Sequence, residues 1–269
     1  MIMKSLLRKY KIVPKKRWSQ NFLISKPIIL FMASYARGIV LEIGPGVGFI
    51  TAELAKRADK VIAIEKDRKF VEILQKEYSF DNVEIINDDV MTADLPDFDR
   101  VISNIPYHIS SHITFKLLDH GFELAVLSYQ KEFAQRLVEV PPSPSVSRLS
   151  VMVQAKADCC ILKTVSRRNF YPVPETDCAL VKITPHEKVA TDAFFETVVR
   201  GLYSHKRKTV RNALLASTDL IGSQKGEIQT LSIPHGERRV WSLTLKEIRD
   251  ISDALKAEEF LCSRVNSSR

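Results

Sequence analysis

Asn104-Ile105-Pro106-Tyr107 is a tetrapeptide with the groups needed to hold a planar amino group. An asparagine side-chain oxygen and the Ile105 carbonyl can each accept one N–H of an exocyclic amine. Pro106 fixes its own φ and biases Ile105 toward extended backbone, which helps aim that carbonyl. Tyr107 supplies an aromatic face on which a base can stack. The same four residues also suit an ordinary strand-to-helix turn, so their chemistry depends on what the chain places beside them.

Val101-Ile102-Ser103 reads as a buried strand that puts Asn104 at its C-terminal tip, the rim where open α/β sheets bind ligands. Upstream, Ile39–Ile43 reads as a strand running into Gly44-Pro45-Gly46-Val47-Gly48, followed by helical spacing over 49–58. Val61–Ile64 is a second strand ending at Glu65, and Val83–Ile86 a third, closed by Asn87-Asp88-Asp89. Helices are expected from Ser25 and Pro27 to about Tyr35, over 68–78 and over 110–119, with a further strand over 124–129. This alternation predicts a parallel sheet with helices on both faces. Gly44–Gly48, Glu65, Asp89 and Asn104 all fall just past strand ends, so they converge on one rim and mark a ligand crevice.

Leu149–Val153, Cys159–Val165 and Ala179–Ile183 read as β-like runs that close the sheet in antiparallel fashion. After Pro185 the pattern turns helical, over 192–203, 207–217 and 245–256, the last opening on a Thr244-x-x-Glu247 capping box. The expected organisation is a basic arm over 1–17, a catalytic domain over 18–185 and a small all-α C-terminal domain over 186–269 that docks RNA.

A glycine-rich turn alone is a weak sign of a nucleotide cofactor. Glu65 is placed to bind both hydroxyls of a ribose, and Asp89 to accept from an adenine amino group. Together they fit an adenosine-bearing ligand and leave a dinucleotide and S-adenosylmethionine both open. The Asn104 loop favours the latter, because an amine-holding loop beside an adenosyl cofactor points to methyl transfer onto nitrogen.

The 269-residue chain carries a formal charge of +8, and its placement is uneven. Residues 1–41 hold nine Lys or Arg and 197–218 hold five, with no acid in either stretch, which leaves the remainder at −6. Such segregation suits a polyanion, with Lys15, Lys16, Arg17, Lys206, Arg207, Lys208 and Arg211 as candidate RNA contacts. No run approaches the ~18 apolar residues of a membrane span. No secretory signal is expected. The four cysteines lack metal-ligand spacing, so a reduced, cytoplasmic, metal-free protein is expected.

Glu42-Ile43-Gly44-Pro45-Gly46-x-Gly48, Asn104-Ile105-Pro106-Tyr107 and Gln20-Asn21-Phe22-Leu23 resemble the ribosomal RNA adenine dimethyltransferases of the small subunit, in an archaeal-like form. Gln130-Lys131-Glu132, Arg148-Leu149-Ser150-Val151, Phe170-x-Pro172-x-Pro174 and Lys206-Arg207-Lys208-Thr209-Val210-Arg211-Asn212 extend the resemblance over about residues 18–255. It implies a class I S-adenosylmethionine-dependent methyltransferase fold, a Rossmann-like sheet. It also implies dimethylation of two adjacent adenosines near the 3′ end of small-subunit rRNA, in the mature subunit or its precursor particle. Carried onto this chain, Gln20, Asn21, Leu23, Glu42, Gly44, Gly46, Glu65, Asp89 and Asn104 line the cofactor site. Asn104, Ile105, Pro106 and Tyr107 hold the target base, Phe170 gives a second aromatic contact, and Arg148 joins the RNA surface. A monomer is expected.

The chain departs from the family pattern at His108, His112, Ser147 and Glu175-Thr176-Asp177-Cys178. His108 and His112 read as helix-start residues without a catalytic role. The competing readings are a large-subunit rRNA adenine methylase, a DNA adenine methyltransferase and a pre-rRNA-binding assembly factor that does not depend on turnover.

Overall fold

The computed structural model describes residues 2–14, 20–222 and 225–266; Lys15, Lys16 and Arg17, expected to touch RNA, lie outside the described residues. Two compact units emerge, Met1–Gln135 with Cys159–Pro185, and Arg136–Asp158 with His186–Arg269. The chain passes from one unit to the other after Pro185, and residues 136–158 group with the C-terminal helices rather than, as expected, with the sheet.

In chain order the first unit begins with α1 (Ile2–Lys9), β1 (Phe22–Leu23), α2 (Lys26–Ala33), β2 (Ile39–Ile43), α3 (Thr51–Leu54) and β3 (Lys60–Ile64). It continues through α4 (Arg68–Glu77), β4 (Val83–Ile86), β5 (Arg100–Asn104), α5 (Ser110–His120) and β6 (Leu124–Gln130), which leads into α6 (Lys131–Val138). After α7 (Arg148–Lys156) the chain returns with β7 (Ala157–Val165), β8 (Phe170–Tyr171) and β9 (Cys178–Pro185). The main sheet has the order β4-β3-β2-β5-β6-β9-β7. Its first five strands run parallel, and β9 pairs antiparallel to β6.

Continuous apolar runs explain the burial of these strands: Val40–Ile43, Val61–Ile64 and Val101–Ser103 are all buried, as expected of a sheet covered on both faces. Between β2 and β5 the strand order reverses, which opens a crevice at their C-terminal ends. There the buried Ser103 hydroxyl donates to the Ile43 carbonyl at 2.5 Å and ties the two tips together. A separate two-stranded ribbon pairs β1 with β8 antiparallel, Phe22 opposite Tyr171 and Leu23 opposite Phe170. It joins two segments far apart in the chain.

One β-like run is a helix. Leu149–Val153 lies in α7, where the Ser147 hydroxyl accepts from the Ser150 amide and the Ser150 hydroxyl accepts from the Ser147 amide. Residues 150–155 are all buried, so the apolar pattern has no 3.6-residue alternation and the reciprocal cap alone signals the helix. The helix expected over 49–58 contracts to the four residues of α3, and α6 was not anticipated.

The second unit adds α8 (Ala193–Ser204), α9 (Val210–Leu215), α10 (Thr218–Ile221), α11 (Lys225–Thr230) and α12 (Leu245–Asn266). Its core is built from Phe195, Val198, Leu202, Val210, Leu214 and Ile248, all fully buried. Asp192 caps α8 by accepting from the Phe195 amide at 2.7 Å. The Thr244–Glu247 box forms as expected, with the Thr244 amide donating to Glu247 at 2.8 Å.

Lys206 and Arg211, expected on an RNA surface, bind their own unit. Lys206 Nζ donates to the Pro144 and Val146 carbonyls at 2.9 and 3.0 Å. Arg211 Nη1 donates to the Ile228 carbonyl at 2.9 Å and reaches those of Gln229 and Leu231, so the guanidinium closes the C-terminal end of α11. Arg207 and Lys208 are exposed and line an open cleft of about 720 Å³ with Lys225 and Arg239, and Arg148 is exposed at the start of α7.

Because lysine replaces the rigid guanidinium that holds Nη1 among these carbonyls with a shorter, flexible ammonium, Arg211→Lys should lower the unfolding free energy by about 1–3 kcal/mol. Urea denaturation checks this; an unchanged midpoint would return Arg211 to the RNA-contacting set.

Candidate functional site

The crevice at the β2–β5 reversal holds a cavity of about 320 Å³. Gln20, Asn21, Gly44, Gly46, Glu65, Asp89, Asn104 and Pro106 all line it, so these expected site residues meet in one place. Leu23 and Glu42 do not reach it. They sit behind the Gly44–Pro45 turn, beside a void of about 20 Å³ that also touches Gly44 and Asn104. That void has room for about one water molecule.

Asn104 is the pivot. Its Nδ2 donates to the Asn21 carbonyl at 2.8 Å, and its buried Oδ1 has no hydrogen-bond partner. The Asn21 bond fixes which end of the amide is which, so the orphan is an oxygen acceptor next to the cavity. Pro106 continues the loop at φ −59°, ψ 124°, and the Ile105 side chain is buried beneath it, leaving that residue's carbonyl as its polar handle.

Tyr107 and Phe170 stand differently from what their types foretold. Phe170 is 1% exposed and belongs to the core with Leu23, Ile28 and Cys178, so it offers no face to a base in this structure. The β1–β8 pairing draws it inward, because Leu23 opposite it is also buried. The Tyr107 ring packs against the same core, and its hydroxyl meets the Cys178 thiol at 2.8 Å. Each end of the tetrapeptide is therefore anchored, Asn104 to Asn21 and Tyr107 to Cys178.

The glycine turn places its backbone against the cavity. Gly44 and Gly46 have φ of +65° and +57°, in the left-handed region that favours glycine. A Cβ on Gly46 would lie 2.7 Å from the Phe22 ring, so this glycine also makes room for the aromatic wall. Phe22 in turn meets Phe70 edge-on at 5.3 Å between centroids. Neither phenylalanine stands out as a site residue in the sequence; Phe22 sits unmarked between Asn21 and Leu23.

Glu65 closes β3 with its carboxyl held by two amides. The Gly46 N–H donates to Oε2 at 3.1 Å and the Asp67 N–H to Oε1 at 2.8 Å. Each oxygen keeps a second lone pair for a hydroxyl donor. Burial raises this carboxyl's pKa to about 7, against the amide bonds that lower it. Glu42 is 1% exposed, its Oε2 lacks a partner, and burial pushes its pKa up to about 8.

Asp89 is not an open acceptor. Lys66 Nζ donates to its Oδ2 at 2.6 Å and holds the carboxyl below the usual range, while the Met91 amide donates to Oδ1 at 3.0 Å. A ligand amine must share or displace the ammonium. Lys116 from α5 fixes the same loop by donating to the Val90 and Ala93 carbonyls. Lys66, Val90 and Met91, which escaped the sequence reading, also line the cavity, as does His108, expected only as a helix-start residue. The signal for the first three is adjacency, since they come directly after the acids at strand ends. Burial lowers the His108 pKa, so the ring is held toward its neutral form.

The chain matches the family described as ribosomal RNA adenine dimethylase over residues 14–233. It is 44% identical over 261 residues to the Pyrococcus furiosus protein named "Probable ribosomal RNA small subunit methyltransferase A", covering 94% of this chain and 96% of that one. Among solved structures, a dimethyladenosine transferase from Plasmodium falciparum aligns with TM-score 0.72 and 27% identity, over 86% of this chain and 96% of that one. The 23S rRNA methyltransferase ErmE aligns with TM-score 0.64 and 27% identity, over 88% of this chain and all of that one.

The raised carboxyl at Glu42 gives a stability prediction with a definite sign. Its folded pKa of about 8 lies above the ordinary 4.5, so the folded state binds the extra proton and stability falls as pH rises from about 4.5 to 8. Glu42→Gln removes that dependence. It should therefore stabilise the protein at pH 8 relative to pH 5, on the order of a few kcal/mol. Denaturation of both proteins at the two pH values checks this; equal effects at both would mean that Glu42 is ionised in the fold.

Proposed function

The chain belongs to the ribosomal RNA adenine dimethylase family, and from that membership we propose a specific reaction and set of roles. It is an rRNA adenine methyltransferase of the class I fold. Its substrate is small-subunit rRNA, where it dimethylates the exocyclic amino groups of two adjacent adenosines near the 3′ end, acting as a monomer on the subunit or its precursor. The observation that supports this most directly is the orphaned Asn104 Oδ1 beside the cavity.

The pocket fits S-adenosylmethionine. Gly44 and Gly46 leave room for a close approach of backbone, Glu65 offers two oxygens to a ribose diol, and Phe22 and Phe70 give apolar walls. When bound, that cofactor supplies a methyl group already activated on a sulfonium sulfur. Asp89 is the candidate acceptor for the adenine of the cofactor, in exchange for Lys66.

Asn104 Oδ1 and the Ile105 carbonyl accept the two N–H groups of the target amine. An adenine amino group is a weak nucleophile because its lone pair is delocalised into the ring. Two acceptors on its hydrogens favour a pyramidal nitrogen and stabilise the positive charge that develops there. The rest of the chain's contribution is alignment, with Asn21 and Cys178 holding the two ends of the loop. The alkylated nitrogen is acidic enough to lose its proton to water, so no side chain is required as general base. The target base must leave its stack to reach this rim, which an unpaired loop makes cheaper.

Purified protein incubated with methyl-labelled S-adenosylmethionine and undermethylated small subunits should label adenosines near the rRNA 3′ end. Asn104→Ala should lower kcat by about 10²–10³ while RNA binding persists. Label on large-subunit RNA, or full activity in the variant, would overturn the assignment.

A further inference from the structure

A second concave surface of the first unit is unaccounted for by methyl transfer. It is an open groove of about 420 Å³ lined by Leu7, Arg8, Lys11, Ile12, Val13 and Tyr171. The N-terminal arm and β8 build it together. Leu7 is buried and packs with Val47, Phe70 and Ile73, with Ile12 and Tyr171 against the same cluster. These residues form the floor.

The cations stand at the edge. Lys9 is paired with Glu77 on α4, which fastens the arm to the unit, and Tyr10 donates to the same carboxylate. Arg8 and Lys11 are exposed. The groove thus combines an aromatic ring, an aliphatic floor and two exposed cations, the combination that holds an unpaired nucleotide by its base and its phosphate.

The backbone at Lys11 adds an independent sign. The Lys11 amide donates to the Arg8 carbonyl at 3.1 Å and the Ile12 amide to the Leu7 carbonyl at 2.8 Å, closing α1 in a Schellman turn. The left-handed position of that turn usually belongs to glycine, yet here it is Lys11 at φ +50°. A lysine held in this strained conformation points to a use for its side chain beyond the helix end.

The groove also shares a wall with the cofactor cavity. Tyr171 pairs directly with Phe22 in the β1–β8 ribbon, and Phe22 lines the cavity. We propose that this groove binds an unpaired nucleotide of the RNA substrate flanking the target adenosine, with its base against Tyr171 and Ile12 and its phosphate on Arg8 and Lys11. This rests on the assignment of RNA as substrate, and it gives the N-terminal arm of the first unit a part in holding that RNA.

The full chain is assayed with undermethylated small subunits and S-adenosylmethionine, so that wild-type turnover tests the assignment and the variants test the groove. Lys11→Gly removes the cation and relieves the backbone. It should leave or raise the thermal midpoint, preserve cofactor affinity, and increase KM for the RNA about tenfold. Combined with Arg8→Ala, it should also flatten the dependence of RNA affinity on salt, by about 0.7 in logarithmic slope for each phosphate that is no longer neutralised. Tyr171→Phe should retain wild-type KM, whereas Tyr171→Ala should not. An active wild type with unchanged KM and salt slope in the Lys11→Gly, Arg8→Ala protein would overturn the proposal. So would a loss of stability or cofactor affinity in Lys11→Gly, since the lysine would then serve the fold alone.

Discussion

The hydrogen bond from Asn104 Nδ2 to the Asn21 carbonyl sets what the rim of this sheet can hold. An amide side chain has one acceptor oxygen and two donor hydrogens, and its orientation is settled once a carbonyl claims the nitrogen. With that bond made, Oδ1 is the end of the amide left buried and without a hydrogen-bond partner, on a residue that lines the cavity. A buried acceptor left unmatched costs about 1–3 kcal/mol, which a ligand donor recovers on binding. The donor for this oxygen must bring an N–H or O–H, and in the proposed reaction the Ile105 carbonyl takes the second hydrogen. A primary amine on a planar ring satisfies both acceptors with one group. Everything that positions Asn21, including the β1–β8 ribbon that begins at the next residue, therefore bears on the chemistry at Asn104.

A second constraint is electrostatic. Two carboxyls, Glu42 and Glu65, lie buried near the tips of β2 and β3, and each resists ionisation because water is excluded around it. They are not equivalent. Glu65 is braced by the Gly46 and Asp67 amides and lines the cavity, so it can meet a polar ligand directly. Glu42 lies one layer deeper, against a water-sized void next to Gly44 and Asn104. A cation entering the cavity would favour ionisation of both groups, which links occupancy of the pocket to proton release. Asp89 follows the opposite logic, since Lys66 already neutralises it at the rim.

Much of this arrangement was legible in the chain because strand ends announce themselves. Apolar runs such as Val61–Ile64 stop abruptly at Glu65, and the Gly44–Gly48 turn suits a strand that leaves the sheet sharply. The gathering of the rim residues follows from those two signals, since every parallel strand ends at the same edge of the sheet. Pairings between distant segments were not legible. Nothing local tells that Lys66 reaches Asp89 beyond the next strand, or that Lys206 binds the carbonyls of residues 144 and 146. Phe170 was expected, from the resemblance, to give a second aromatic contact to the target base, but its register opposite Leu23 buries it. The Leu149–Val153 run misled for a different reason: a helix buried on nearly all sides loses the alternation that distinguishes it from a strand.

Phe22 draws the remaining observations into one mechanical unit. Its ring fills the space that the missing Cβ of Gly46 leaves, its edge rests on Phe70, and its backbone pairs with Tyr171. The same Phe70 lies in one apolar cluster with Leu7 of α1, so the wall of the rim cavity and the floor of the arm's groove share one apolar layer. Close-packed layers of this kind have little free volume and transmit strain from one side to the other. A larger residue at position 46 would consequently disturb more than the glycine turn, because Phe22 could not retreat without moving Phe70 or breaking its pairing with Tyr171. The glycine at the cavity wall is thus also the residue that leaves room for the Phe22 ring of the β1–β8 ribbon.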